Sequence, residues 1–100
     1  MSLYSVELTV PADNSWVLDM HKRIEELREH SGNPEVPVAK AIGGSGSGEL
    51  VLRWTDLEAR GAASAARRAI KLATEMLPPL ATSHYLTVNA KHQEPGRRPV

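Results

Sequence analysis

The sequence predicts an α+β fold in the order β-α-β-β-α-β. Three observations carry it. Apolar residues alternate with polar ones in four short stretches, the pattern of half-buried strands. In two longer stretches they recur at three- and four-residue spacing, the pattern of amphipathic helices. Between the second and third strands lies Gly43-Gly44-Ser45-Gly46-Ser47-Gly48, which holds four of the seven glycines.

The first strand is read over Leu3 to Val10, with Tyr4, Val6, Leu8 and Val10 on one face and Ser5, Glu7 and Thr9 on the other. Pro11 is expected to end it, because proline has no N–H for the ladder. Asp13, Asn14 and Ser15 are all helix N-cap residues. The helix they open is expected from Asn14 to His30. Its stripe is Trp16, Val17, Met20, Ile24 and Leu27, with Lys22, Glu25, Glu26 and Glu29 opposite. Leu18 falls on the polar face. Gly32 and Pro34 form the stop, the first free to take positive φ and the second unable to continue a helix.

The second strand is expected from Val36 to Ile42. Val36, Val38 and Ile42 are assigned to its inner face, with Lys40 interrupting them and Ala39 and Ala41 outside. Lys40 and Pro37 suit an edge strand guarded against further pairing. The third strand runs from Glu49 to Trp54, with Leu50, Leu52 and Trp54 inward and Val51 and Arg53 outward. Thr55-Asp56-Leu57-Glu58 has the spacing of a capping box, so the second helix is expected from there to about Leu77. Its buried stripe is Ala62, Ala65, Ala69, Leu72, Ala73, Met76 and Leu80. Its wet side is Arg60, Ser64, Arg67, Lys71 and Glu75. Small residues in that stripe let the helix lie close to the sheet. That would offset the roughly 1 kcal/mol cost of Gly61 in a helix interior. Pro78-Pro79 ends it. The last strand is expected from His84 to His92, with Leu86, Val88 and Ala90 inward and Tyr85, Thr87 and Asn89 outward.

Two split βαβ units with right-handed crossovers give a four-stranded antiparallel sheet with both helices on one face. This is the ferredoxin-like arrangement, with strand order 4-1-3-2. Residues 1–93 are read as one domain, and 94–100 as a flexible tail. One hundred residues can bury roughly 65% of the unfolded surface, enough for one core.

Composition narrows the function classes. Twelve basic and twelve acidic residues cancel, which disfavours a general polyanion binder. Phenylalanine is absent and only Trp16, Trp54, Tyr4 and Tyr85 are aromatic, so the stacking platform of a sheet that binds RNA is missing. Arg60, Arg67, Arg68 and Lys71, extended by Arg97-Arg98, are read as a solvated basic face. With no cysteine there is no disulfide, thiolate metal site or cysteine nucleophile. No apolar run reaches the roughly 18 residues that span a bilayer, and no leader pattern is seen. A cytoplasmic protein is expected.

The candidate chemistry is sparse. The glycine stretch would make a phosphate cradle only if a helix N-terminus followed it. A strand follows, so it reads as a hairpin. His21 with Glu25, and Glu26 with His30, are each one helical turn apart, but they lie on different sides and lack a third ligand. His84 and His92 sit at opposite ends of one strand, roughly 26 Å apart at the usual rise. No metal and no cofactor are expected.

The expectation is therefore a non-enzymatic protein-interaction domain, homodimerising through the sheet face that the helices leave open. Its contact residues are Glu7, Thr9, Arg53, Tyr85 and Thr87, with Leu18 as a separate exposed apolar residue. Glu7 and Arg53 are placed to pair across the central strands. The alternative is a small enzyme or ligand-binding domain. It would use the crevice beside Gly43, Gly44, Ser45, Gly46, Ser47 and Gly48.

Overall fold

A computed structural model describes residues 2–33, 35–44, 46–77 and 87–93. The elements are β1 (Ser2–Ala12), α1 (Asn14–Ser31), β2 (Val38–Gly43), β3 (Gly48–Ala59), α2 (Ala62–Met76) and β4 (Thr87–His92). The sheet is antiparallel throughout and ordered β2-β3-β1-β4. This is the ferredoxin-like order expected, with β1 and β3 central. Expectations for Pro34, Ser45, residues 78–86 (Leu80, His84, Tyr85 and Leu86 among them) and the tail at 94–100 lie outside the described residues.

The core forms where the even-numbered positions of β1 and β3 meet the helices. Val6, Leu8, Val10, Leu50 and Leu52 are fully buried, and Trp54 almost so. Val17 and Ile24 come down from α1, and Ala65, Ala69 and Ala73 from α2. The three alanines explain the close seat of α2: a methyl lets the helix backbone approach the sheet where a larger side chain would hold it off. Trp54 anchors a loop as well as filling the core. Its indole N–H donates to the Glu35 carbonyl at 2.8 Å, and the Glu35 carboxylate accepts from Arg68 of α2 at 2.6 Å.

α1 starts and stops where its sequence says. The Asp13 carboxylate caps it, accepting from the Trp16 amide at 2.9 Å, and Gly32 closes it at φ 61°. Leu27 departs from the stripe and is 37% exposed, in a depression lined by Arg23, Glu26, His30 and Ser31.

Other expectations are corrected. Pro11 does not end β1. It pairs with Glu49 of β3, while the β4 ladder covers only Tyr4 to Thr9, so the missing N–H falls beyond the β4 pairing. β2 begins at Val38 rather than Val36, and its faces are the reverse of those expected. Ala39 and Ala41 pack toward the core, while Val38 and Ile42 are 51% and 41% exposed. The register explains this: Val38 pairs with Arg53, Lys40 with Val51 and Ile42 with Glu49, all on the open face. That frame keeps the Lys40 ammonium in water and puts small residues under α1.

Thr55-Asp56-Leu57-Glu58 does not cap a helix. It lies inside β3, where the register with β1 shifts between Tyr4 and Val6. Thr55 and Asp56 together oppose Ser5, and Asp56 takes φ 57°. This bulge slips the alternation by one, so Leu57 and Ala59 are buried again. Gln93 braces it: its side-chain oxygen accepts from the Asp56 amide at 2.9 Å, and its own amide donates to the Leu3 carbonyl at 2.9 Å. Consequently α2 starts at Ala62. Arg60 lies before the helix, Gly61 is its N-cap in extended conformation, and Ala62 is exposed.

Candidate functional site

Both helices cover one face of the sheet, and the odd positions of β1 and, up to the bulge, those of β3 line the other. The cross-strand register sorts this open face into rows. One row runs Val38, Arg53, Glu7, Asn89; the next runs Lys40, Val51, Thr9, Thr87; a third begins Ile42, Glu49, Pro11. Ser5 and Lys91 pair beyond the first row.

The central feature is an ion pair between the two middle strands. Arg53 donates to Glu7 at 2.7 Å, and both side chains remain largely open to solvent. They are directly paired residues of β1 and β3, so antiparallel pairing alone brings them side by side. An exposed pair of this kind adds at most about 1 kcal/mol to folding. Its importance here is positional: it neutralises two charges in the middle of the face. A concavity of about 500 Å³ lies beside it, lined by Ser5, Glu7, Arg53, Thr55, Asn89, Ala90 and Lys91.

The flank toward β2 is more apolar. Val38, Val51 and Ile42 sit around Lys40, which has no acidic partner among the described residues. β2 is the edge strand on that side. Of the sequence-derived contact residues, Glu7, Thr9, Arg53 and Thr87 share this face. Tyr85 lies outside the described residues. Leu18, 61% exposed, is on α1 and therefore on the opposite side of the sheet. Val38 and Ile42 were missed because β2 was assigned the wrong frame. The signal was Lys40: a lysine two residues from each shares their face and marks it as wet.

The glycine hairpin lies against the start of α1. The Asn14 side-chain amide donates to the Gly44 carbonyl at 2.8 Å. Gly48 has no room for a Cβ, which would lie 2.6 Å from both Asn14 Oδ1 and the Ile42 carbonyl oxygen. A shallow depression is lined here by Pro11, Ala12, Ile42, Gly43, Gly44, Ser47, Gly48 and Glu49. A helix N-terminus is thus close to the hairpin in space, though not in sequence. Its capping position is already taken by the Asp13 carboxylate, which opposes a second anion there.

His21 lies 3.3 Å from Glu25 on α1. His92 sits edge-on to Tyr4, ring centroids 5.3 Å apart. Among the described residues no cluster of three or more His, Asp or Glu side chains could hold a metal ion, and no helix is long and apolar enough to cross a membrane. Comparisons with known protein families, with curated proteins and with solved structures found no match.

Proposed function

We propose that this domain acts through protein contacts and forms a homodimer by stacking two open sheet faces. The observation that carries the reading is the Glu7–Arg53 pair at the centre of the face, with uncharged Thr9, Val51, Thr87 and Asn89 around it and Lys40, Glu49 and Lys91 toward its margins. A face whose central charges already neutralise each other costs less to dehydrate than one with isolated charges. Val38, Val51 and Ile42 add apolar area at one side.

The expected affinity is low. Strands of 11, 12, 6 and 6 residues, at a rise of about 3.3 Å and a spacing of about 4.8 Å, cover roughly 550 Å² in plan. A standard stable interface buries about 800 Å² per partner. We place the association in the micromolar range.

Light scattering over a concentration series into the high micromolar range tests this reading, and a strict monomer throughout removes it. Charge exchange then tests the surface. Glu7→Arg alone and Arg53→Glu alone each place like charges at the centre and are expected to abolish the dimer. An equimolar mixture restores opposite charges across the interface and should recover a one-to-one dimer. A mixture that stays monomeric while the parent dimerises places the contact elsewhere. The alternative use of the hairpin as a ligand site is checked by amide shift mapping with a nucleotide and metabolite panel. Shifts clustered at Gly43–Gly48 would support it.

A further inference from the structure

We infer that the two copies stack with their two-fold axis parallel to the strands, running between β1 and β3. This rests on the homodimer reading above and names the arrangement of its partner. A face-to-face pair with two-fold symmetry must have its axis in the plane between the sheets. Aligned sheets keep their strands within about 30° of one another. The axis therefore runs close to either the strand direction or its perpendicular.

The two choices treat the central charges differently. Glu7 and Arg53 occupy one row, on adjacent strands. With the axis along the strands and between these two, each residue keeps its row and exchanges strand. Arg53 then faces the partner's Glu7, and Glu7 faces the partner's Arg53. The intrachain pair becomes a ring of four alternating charges, every one with two opposite neighbours. In the next row Val51 faces the partner's Thr9. With the axis across the strands and through this row, Arg53 faces the partner's Arg53 and Glu7 faces the partner's Glu7. Shifted by half a row, the same axis sets Arg53 over the partner's Val51 and Glu7 over the partner's Thr9, with no charge paired across the interface. Like charges in contact across an interface are strongly disfavoured, and charge buried against apolar neighbours is little better. Self-complementarity of the face selects the axis along the strands.

The outer strands report which axis is present. Lys40 of β2 and Thr87 of β4 lie in one row at opposite sides of the sheet, three strand spacings or about 14 Å apart. The axis along the strands puts Lys40 over the partner's Thr87 and separates the two Lys40 positions by that lateral distance. The axis across the strands stacks β2 on the partner's β2. The chain has no cysteine, so single thiols can be placed without background. Lys40→Cys and Thr87→Cys, each alone and as an equimolar mixture, are treated with a short bismaleimide at a concentration where light scattering shows the dimer. The expected result is a covalent dimer in the mixture, formed by one chain of each kind, and little from either variant alone. Efficient linking within each variant alone, with no gain on mixing, overturns the axis and leaves the face-to-face homodimer standing. No covalent dimer in any sample, with the dimer still seen by scattering, overturns the axis along the strands but not the face, because an axis across the strands through the Glu7–Arg53 row would leave the two Lys40 positions about 14 Å apart along the strand. A strict monomer overturns both the axis and the homodimer.

Discussion

Gly48→Ala puts a methyl group where the fold has no space. The added carbon would lie 2.6 Å from Asn14 Oδ1 and 2.6 Å from the Ile42 carbonyl oxygen, well inside van der Waals contact. The asparagine can swing away, but only by giving up its 2.8 Å bond to the Gly44 carbonyl, a loss of about 1 kcal/mol. The carbonyl is less free, because Ile42 is held in the β2–β3 ladder opposite Glu49. Overpacking of this kind costs roughly 1–3 kcal/mol. Reduced freedom of the unfolded chain returns about 0.4–1 kcal/mol. The expected net loss is about 2 kcal/mol. For a domain of this size that lowers Tm by roughly 8–16 °C and moves the urea midpoint by roughly 0.7–2 M. Tryptophan fluorescence reads it directly, since Trp54 is buried. Gly43 is the internal control: a Cβ there meets only Asn14 Oδ1 at 3.7 Å, so Gly43→Ala should be tolerated. Adding Asn14→Ala to Gly48→Ala should cost less than the sum of the two, because one of the two clashes goes with the side chain. A Gly48→Ala protein within 0.5 kcal/mol of the parent, or strict additivity in the double variant, would refute the account of a hairpin locked on the helix.

Three further outcomes follow from the fold. Asp13→Ala removes the carboxylate that accepts from the Trp16 amide and should cost roughly 0.5–2 kcal/mol, read as a lower denaturation midpoint; no change would show that another group caps α1. Asp56→Gly relieves a left-handed backbone at φ 57° and should raise stability by up to about 1 kcal/mol, whereas Asp56→Val should lower it by about 1–2 kcal/mol; equal effects would mean that the bulge does not persist in solution. Ala65→Leu forces a larger side chain between α2 and the sheet at a fully buried site and should cost roughly 1–3 kcal/mol, seen in the urea midpoint.

Local pattern was enough for β1, α1 and the order of the strands. In β1 four apolar side chains alternate without interruption, so only one frame buries them. In α1 a cap, a stripe and a terminating glycine agree with each other. The Glu7–Arg53 pair was legible for the same reason: two odd positions on strands that the topology makes neighbours must share the open face.

What tertiary structure alone decided lies where neighbouring strands set the frame. β2 has too few apolar residues to choose its own face, and alternation alone assigns Val38 and Ile42 to the core. Pairing with β3 and the cost of burying the Lys40 charge turned them outward, which put them on the candidate surface. Thr55 to Glu58 has the chemistry of a helix start, yet β1 continues beside it, and one bulge with Asp56 at positive φ lets β3 follow to Ala59. The clasp of Asn14 on the glycine hairpin joins residues 30 apart in the chain and leaves no local signature. Side chains within one turn or one strand carry their own periodicity. The facing of a short edge strand, a slip in register and the room left beside a glycine are properties of two segments together, and only their contact determines them.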